Sequence, residues 1–111
     1  AQRLIRDGSI RRGWIGVGGQ NVRLARRQVL HHGLESEGGV GVLAVEPDGP
    51  ASRAGIREGD VIVRFDGRRI EGIDDLHRLL PEEAVGRPAP LEALRRDGKI
   101  ALEVVPERAP R

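Results

Sequence analysis

Residues 46–67 read EPDGPASRAGIREGDVIVRFDG, and their punctuation decides how the flanking sequence folds. Pro47-Asp48-Gly49-Pro50 halts any strand arriving from Val40 to Glu46, because proline cannot donate to a ladder and the Asp-Gly pair favours a reversal. Pro50 to Gly55 (PASRAG) then fits one helical turn, with proline at its first position and glycine just past its end. Val61, Val63 and Phe65 alternate with Ile62 and Arg64, the period of a half-buried strand. Asp66-Gly67 turns that strand into a stub at Arg68 to Ile70. Ala51 and Ala54 are small enough for close packing, and Gly55 and Gly59 permit the turns that lead to Asp60. The work of this run is structural.

Upstream, a polar turn at 35–39 (ESEGG) precedes the Val40 to Glu46 strand. Val22 to His32 sets Val22, Ala25 and Val29 at i, i+3 and i+7, with Arg23, Arg26 and Arg27 on another side and Gly33 as a stop; this spacing predicts a short amphipathic helix. Trp14 to Val17 reads as a short strand set among Gly13, Gly16, Gly18 and Gly19. Downstream, Ile73 to Leu80 predicts a helix with Asp74 and Asp75 at the positive end of its dipole and Pro81 close behind. Leu91 to Leu94 and Ile100 to Val105 predict a hairpin around Arg95 to Gly98. The expected fold is α+β, a small partly open β-barrel or sandwich of about six short strands capped by two helices.

The chain has 111 residues, one domain's worth, expected as a connector at 1–12, a domain at 13–105 and a flexible tail at 106–111. It has no cysteine, so no disulfide contributes, and its aromatics are Trp14 and Phe65 alone. A pI near 10.3 looks suited to nucleic acid, but 18 of the 19 basic residues are arginine, whose very high pKa inflates the pI at a net charge of only +2. Residues 1–34 carry +6 and residues 35–111 carry −4. The apolar runs are too short to span a bilayer, and the N-terminus lacks the pattern of a signal peptide, so a soluble fragment is expected.

The segment Gly13-Trp14-Ile15-Gly16-Val17-Gly18-Gly19 offers consecutive backbone N–H groups with little side-chain cover, which is either a structural glycine turn or a concavity for an anion such as a carboxylate. If the strand edge beside it is open, an extended peptide can add there. Phosphate loops fit poorly: no Gly-Lys-Ser/Thr is present, and the third glycine of a dinucleotide fingerprint is replaced by Asn21. His31, His32 and His77 have no cysteine partner, and Ser9, Ser36 and Ser52 sit in polar turns or helix starts rather than a nucleophile elbow. Adjacent histidines face different sides of a helix and make a poor metal pair, so no metal and no cofactor is expected.

Ile10 to Gly19 (IRRGWIGVGG), Gly39 to Leu43 (GVGVL), the run 46–67 and Arg96-Asp97-Gly98-Lys99 together resemble the PDZ domain that follows the protease domain in HtrA/Deg serine proteases. The likeness covers about residues 4–105. It implies the circularly permuted PDZ topology and places Trp14-Ile15-Gly16-Val17 on the family's carboxylate-binding motif, with the N–H groups of Ile15, Gly16 and Val17 holding a ligand's terminal carboxylate. Gly18 and Gly19 would pair with the ligand backbone. The helix at 73–80 would close the pocket with Ile73, His77 and Leu80, which lie on one face and could equally be core (Ile73, Leu80) or solvated (His77), while Leu76 and Leu79 turn to the core. A floor of Ile15, Val17 and Leu80 implies an apolar last ligand residue.

By the same resemblance this chain is not itself an enzyme, since the family's nucleophile loop and triad segments have no counterpart. Its parent would be a trypsin-like serine endopeptidase in protein quality control, and the bacterial periplasm or another extracytoplasmic space is the implied location. Expected partners are C-terminal peptides of substrate or signalling proteins and an attached protease domain, with no nucleic acid or membrane insertion and a monomeric fragment. Two rivals stand beside this reading. One is an assembly module without a working groove; the other is a basic surface built on Arg3, Arg6, Arg11, Arg12, Arg23, Arg26 and Arg27.

Overall fold

A computed structural model describes residues 13–34, 37–95 and 98–108. The expected connector at 1–12 with Arg3, Arg6, Arg11 and Arg12, the first two residues of the turn at 35–39, the Arg96-Asp97 turn and residues 109–111 of the tail lie outside them. The elements run β1 (Gly13–Trp14), β2 (Val17–Arg23), α1 (Arg26–His32), β3 (Gly38–Val45), α2 (Pro50–Ala54), β4 (Val61–Phe65), β5 (Arg68–Arg69), α3 (Ile73–Arg78), a 3-10 turn (Glu82–Ala84), β6 (Ala89–Arg95), β7 (Gly98–Val104) and β8 (Glu107–Arg108).

The expected α+β architecture is present. β2, β3, β4, β6 and β7 lie side by side in an open antiparallel sheet, with β5 folded back on β4. Asp66 and Gly67 both take positive φ, 55° and 79°, the two-residue turn whose twist matches that of the flanking strands. Val40, Ile62, Phe65, Ile70, Leu91 and Val104 are fully buried in the main core, where Ala51 and Ile56 bring in α2 and Leu76 and Leu80 bring in α3. Along β6 alternation sends Leu94 away from Leu91 and Ala93, and along β4 an irregularity between Ile62 and Arg64 breaks the expected Val61, Val63, Phe65 set: Ile62 and Phe65 stay in the main core, while Val63 joins Leu94 in a smaller cluster with Leu24, Val29 and Leu34 beneath α1.

Four expectations change. Val22 and Arg23 belong to β2 rather than to a helix, because the register with β3 continues to Arg23 opposite Gly38; α1 begins only at Arg26. The pairing tolerates its glycines because they allow close approach: a Cβ on Gly41 would stand 2.8 Å from Val22 Cγ1. Trp14 to Val17 is two strand ends, not one strand, with Ile15 and Gly16 between them. Beyond Pro106, which is buried, Glu107–Arg108 form β8 and pair with β1, where the sequence pattern reads as loose tail. Helix α3 also stops earlier than expected, at Arg78.

The loop entering β4 is held by one carboxylate. Asp60, 2% exposed, accepts from Arg95 Nε at 2.9 Å and Arg95 Nη2 at 2.7 Å, side-on, and from the Arg57 N–H at 2.9 Å. The same guanidinium donates to the Gly55 carbonyl at 2.7 Å, so both ends of the loop are tied to β6. Burial alone would raise the Asp60 pKa, but the Arg95 hydrogen bonds, the Arg57 N–H and both positive charges outweigh it and hold the carboxyl below its ordinary value. A carboxylate depressed in the folded state adds stability above its unfolded pKa of about 3.9, which is lost as pH falls through the lower folded value. Asp60→Asn should cost about 3 kcal/mol at neutral pH. Urea denaturation at neutral pH and below about pH 4 should show the wild type losing stability in acid more steeply than the variant.

Candidate functional site

The glycine segment is fastened on three sides. The Gly13 N–H donates to the Leu80 carbonyl at 2.8 Å, the Ala51 N–H to the Ile15 carbonyl at 2.8 Å, and the Glu46 N–H to the Gly16 carbonyl at 2.8 Å. Gly16, at φ +80°, takes a conformation that side chains resist, which turns its carbonyl back to the sheet. Among the described residues the N–H groups of Ile15 and Gly16 have no acceptor. The Trp14 indole braces the loop from outside: Cβ atoms built on Gly16 and Gly49 would meet it at 3.3 Å and 3.5 Å.

Those N–H groups open beside a cavity of about 130 Å³ that lies between the loop and α3. It is lined by Gly13 to Val17, Val40, Ile73, Leu76, His77 and Leu80. The Gly13–Leu80 hydrogen bond brings the exit of α3 to the loop, and the helix then runs back along β2 toward Asn21. Ile15, Leu76 and Leu80 are buried, Val17 and Ile73 half-buried, and His77 exposed.

β2 is an edge strand of the sheet. Glu46 N–H bonded to Gly16 and Leu24 N–H bonded to Glu37, at 2.6 Å, mark the two ends of its ladder with β3. Between them the register skips Leu43 opposite Gly18 and Gly19, a bulge that keeps the parity of β2 intact. Hydrogen-bonded pairs alternate in an antiparallel ladder, so the even residues, Gly18 included, bond to β3. Val17, Gly19 and Asn21 therefore present their N–H and C=O groups to the open edge. On the other side chain face, a Cβ on Gly19 would stand 2.6 Å from Val40 Cγ1, so this position has room only for glycine.

The structure thus gathers Trp14, Ile15, Gly16, Val17, Ile73, His77 and Leu80 around one cavity. It adds Gly13, Val40 and Leu76, which sequence reasoning left out. Leu76 fills both expected and unexpected roles: it is core, yet it also lines the cavity. Asn21 enters as a tie between β2 and α3, through a hydrogen bond to the Ile73 N–H that no local pattern announces. Of the arginines in the expected basic surface, Arg23, Arg26 and Arg27 are exposed, and Arg23 pairs with Glu37 at 3.3 Å. Among the described residues no three metal-ligating side chains cluster, and no helix is long and apolar enough to cross a membrane.

An open edge strand, a helix laid along it and a glycine loop with inward carbonyls define a peptide-groove architecture, and comparison with known proteins gives it a family. The PDZ domain family matches residues 13–105, and the chain belongs to that family. PDZ domains are binding modules, so the chain is not catalytic. It is 36% identical over 86% of its length to a probable periplasmic serine endoprotease of the DegP-like group from Halomonas elongata, and 33% identical over 97% to serine endoprotease DegS of Escherichia coli. The chain spans only 20% and 30% of these two proteins. Among solved structures, HtrA-type protease AlgW with a decapeptide aligns at TM-score 0.71 and 28% identity, covering 90% of this chain and 30% of that one. The HtrA3 PDZ domain bound to a phage-derived ligand aligns at 0.60 and 29%, covering 86% and 85%. The chain is thus similar to the PDZ portion of HtrA-type serine proteases.

Two substitutions separate backbone demand from mere glycine content. Gly16→Ala forces a side chain into φ +80° and against Glu46 and Trp14, both at 3.3 Å, and should cost about 1–3 kcal/mol. Gly18→Ala meets only Ala44 Cβ at 3.7 Å and should be neutral or slightly stabilising in a thermal melt.

Proposed function

We propose that this domain captures the C-terminal end of a protein chain by adding it as a strand to β2. The observation that carries the proposal is the coincidence of free loop N–H groups, an unpaired strand edge and an apolar cavity within one groove. A terminal carboxylate accepts from the N–H groups of Ile15, Gly16 and Val17, in a site where the backbone is already oriented and reorganisation is small. The ligand backbone then pairs with Val17 and Gly19, antiparallel to β2. Its last side chain enters the cavity against Ile15, Val17, Leu76 and Leu80, which favours an apolar residue. Ile73 and His77 flank the residues that precede it.

The relatives extend the proposal beyond the chain. In an HtrA-like parent, the domain would deliver or report exposed C-termini to an attached serine protease domain, outside the cytoplasm. Such coupling requires that the peptide bind one state of the whole protein better than another.

Trp14 is the sole tryptophan, no tyrosine competes with it, and it lines the cavity, so its fluorescence reports occupancy. Titration with a C-terminal peptide library, each hit paired with its amidated twin, should show binding that amidation weakens at least about tenfold, as expected for losing a charged hydrogen-bond acceptor. Equal binding by both twins, or none, would overturn carboxylate capture and favour an assembly role. Binding that collapses steeply with salt would favour the arginine surface.

A further inference from the structure

The sheet has a second open edge. The strand order β2-β3-β4-β6-β7 leaves β7 outermost, and among the described residues it pairs with β6 alone. A proline shows which of its backbone groups face outward. Pro90 lies opposite Glu103, has no N–H, and turns its carbonyl to the Asp66 N–H on the β4 side at 2.7 Å, so the pair exchanges no hydrogen bond. Bonded and non-bonded pairs alternate in an antiparallel ladder, so Lys99, Ala101 and Glu103 all present N–H and C=O groups to the edge. Their side chains share the exposed face of β7, whereas Ile100 and Leu102 pack on the core. The end of α2 lies on that core side, where a Cβ on Gly55 would stand 3.8 Å from Leu102 Cδ2.

A bare edge is a template for another strand, and a lysine on it is a common safeguard, since two copies repel. Here the safeguard cancels itself. An antiparallel pair of β7 strands centred on Ala101 sets Lys99 of each copy opposite the partner's Glu103 on one face, and Ile100 opposite the partner's Leu102 on the other. Each pair among residues 99, 101 and 103 then exchanges two backbone hydrogen bonds. A shift of two residues in either direction sets Ala101 opposite Lys99 or Glu103 and separates the charges. Lys99 can reach across, because its own sheet holds it only by a part-exposed contact to Glu92 at 3.6 Å.

We propose that β7 is a self-association edge, through which two copies of this chain pair about a two-fold axis at Ala101, in place of the monomer expected from sequence. The interface is one strand wide, which suits a transient pair rather than a permanent one. The pairing does not rest on peptide capture. It does bear on it: β2 ends the strand order on the other side, so the dimer carries one continuous sheet with a β2 edge at each end. Two grooves on one body hold two chain ends at once, which favours ligands that are themselves multimeric.

Sedimentation of the 111-residue chain from about 10 µM to about 1 mM should show the mean mass rising from 12.1 kDa toward twice that value. Glu103→Lys and Lys99→Glu each set like charges opposite one another and should weaken association about tenfold. An equimolar mixture of the two variants, in which every facing pair is opposite in sign, should recover it. Ala101→Pro removes the N–H at the axis, which the ladder to β6 does not use, and should abolish pairing. Circular dichroism checks that each variant folds, and the charge variants decide if the proline variant does not. A chain that stays monomeric throughout this range, a dimer that both charge variants leave intact, a mixture that associates no better than its components, or a folded Ala101→Pro variant that still dimerises would each overturn the proposal.

Discussion

The structure depends on three hydrogen bonds that pin one short loop, from Gly13 to Gly16. Gly13 to Leu80, Ile15 to Ala51 and Gly16 to Glu46 tie the loop to α3, α2 and the end of β3 in turn. Each takes a backbone group that would otherwise need water and commits it to the protein, and what remains uncommitted is a set of N–H groups facing one way. Orientation here is a by-product of satisfaction. The geometry of the loop is imposed by elements drawn from the whole length of the domain.

The 46–67 run now has a physical place in that scheme. Its proline and glycine punctuation sets α2 so that Ala51 can reach Ile15, and its Asp60 fixes the following loop to Arg95 on β6. The Val42 N–H donates to the Asp60 carbonyl and the Gly59 N–H to the Val42 carbonyl, both at 2.8 Å, so the same loop clamps β3. Asp60 does not line the cavity, so a substitution there bears first on this loop and on β3.

Much of this was legible in the residues. Turn chemistry marked Asp66-Gly67 and the PASRAG turn, and alternation marked β4, because those signals are local. The end of β2 was not, since Val22, Ala25 and Val29 carry a helical period by coincidence and the partners that hold Val22 and Arg23 in the strand, Gly39 and Gly38, lie beyond the intervening helix. Nor was β8, two exposed polar residues held by pairing with β1 and by the Glu107–Arg53 ion pair, both made by distant parts of the chain. The cavity side chains Ile73, His77 and Leu80 followed from helix spacing, whereas Leu76 serves the core and the cavity at once, which spacing alone did not separate. Asn21 was invisible for the plainest reason: its partner is 52 positions away.

The β1–β8 pairing sets Gly13 opposite Arg108, in antiparallel register, so the described chain begins and ends at neighbouring points and runs in opposite directions there. The module hangs from its surroundings as from a stem. Tension between the two exits loads this short ladder as a zipper, one pair at a time, and the second pair includes Trp14, the brace of the loop. Mechanical strain across this pair would therefore arrive first at Trp14 and the glycine loop beside it, before any of it reached the core.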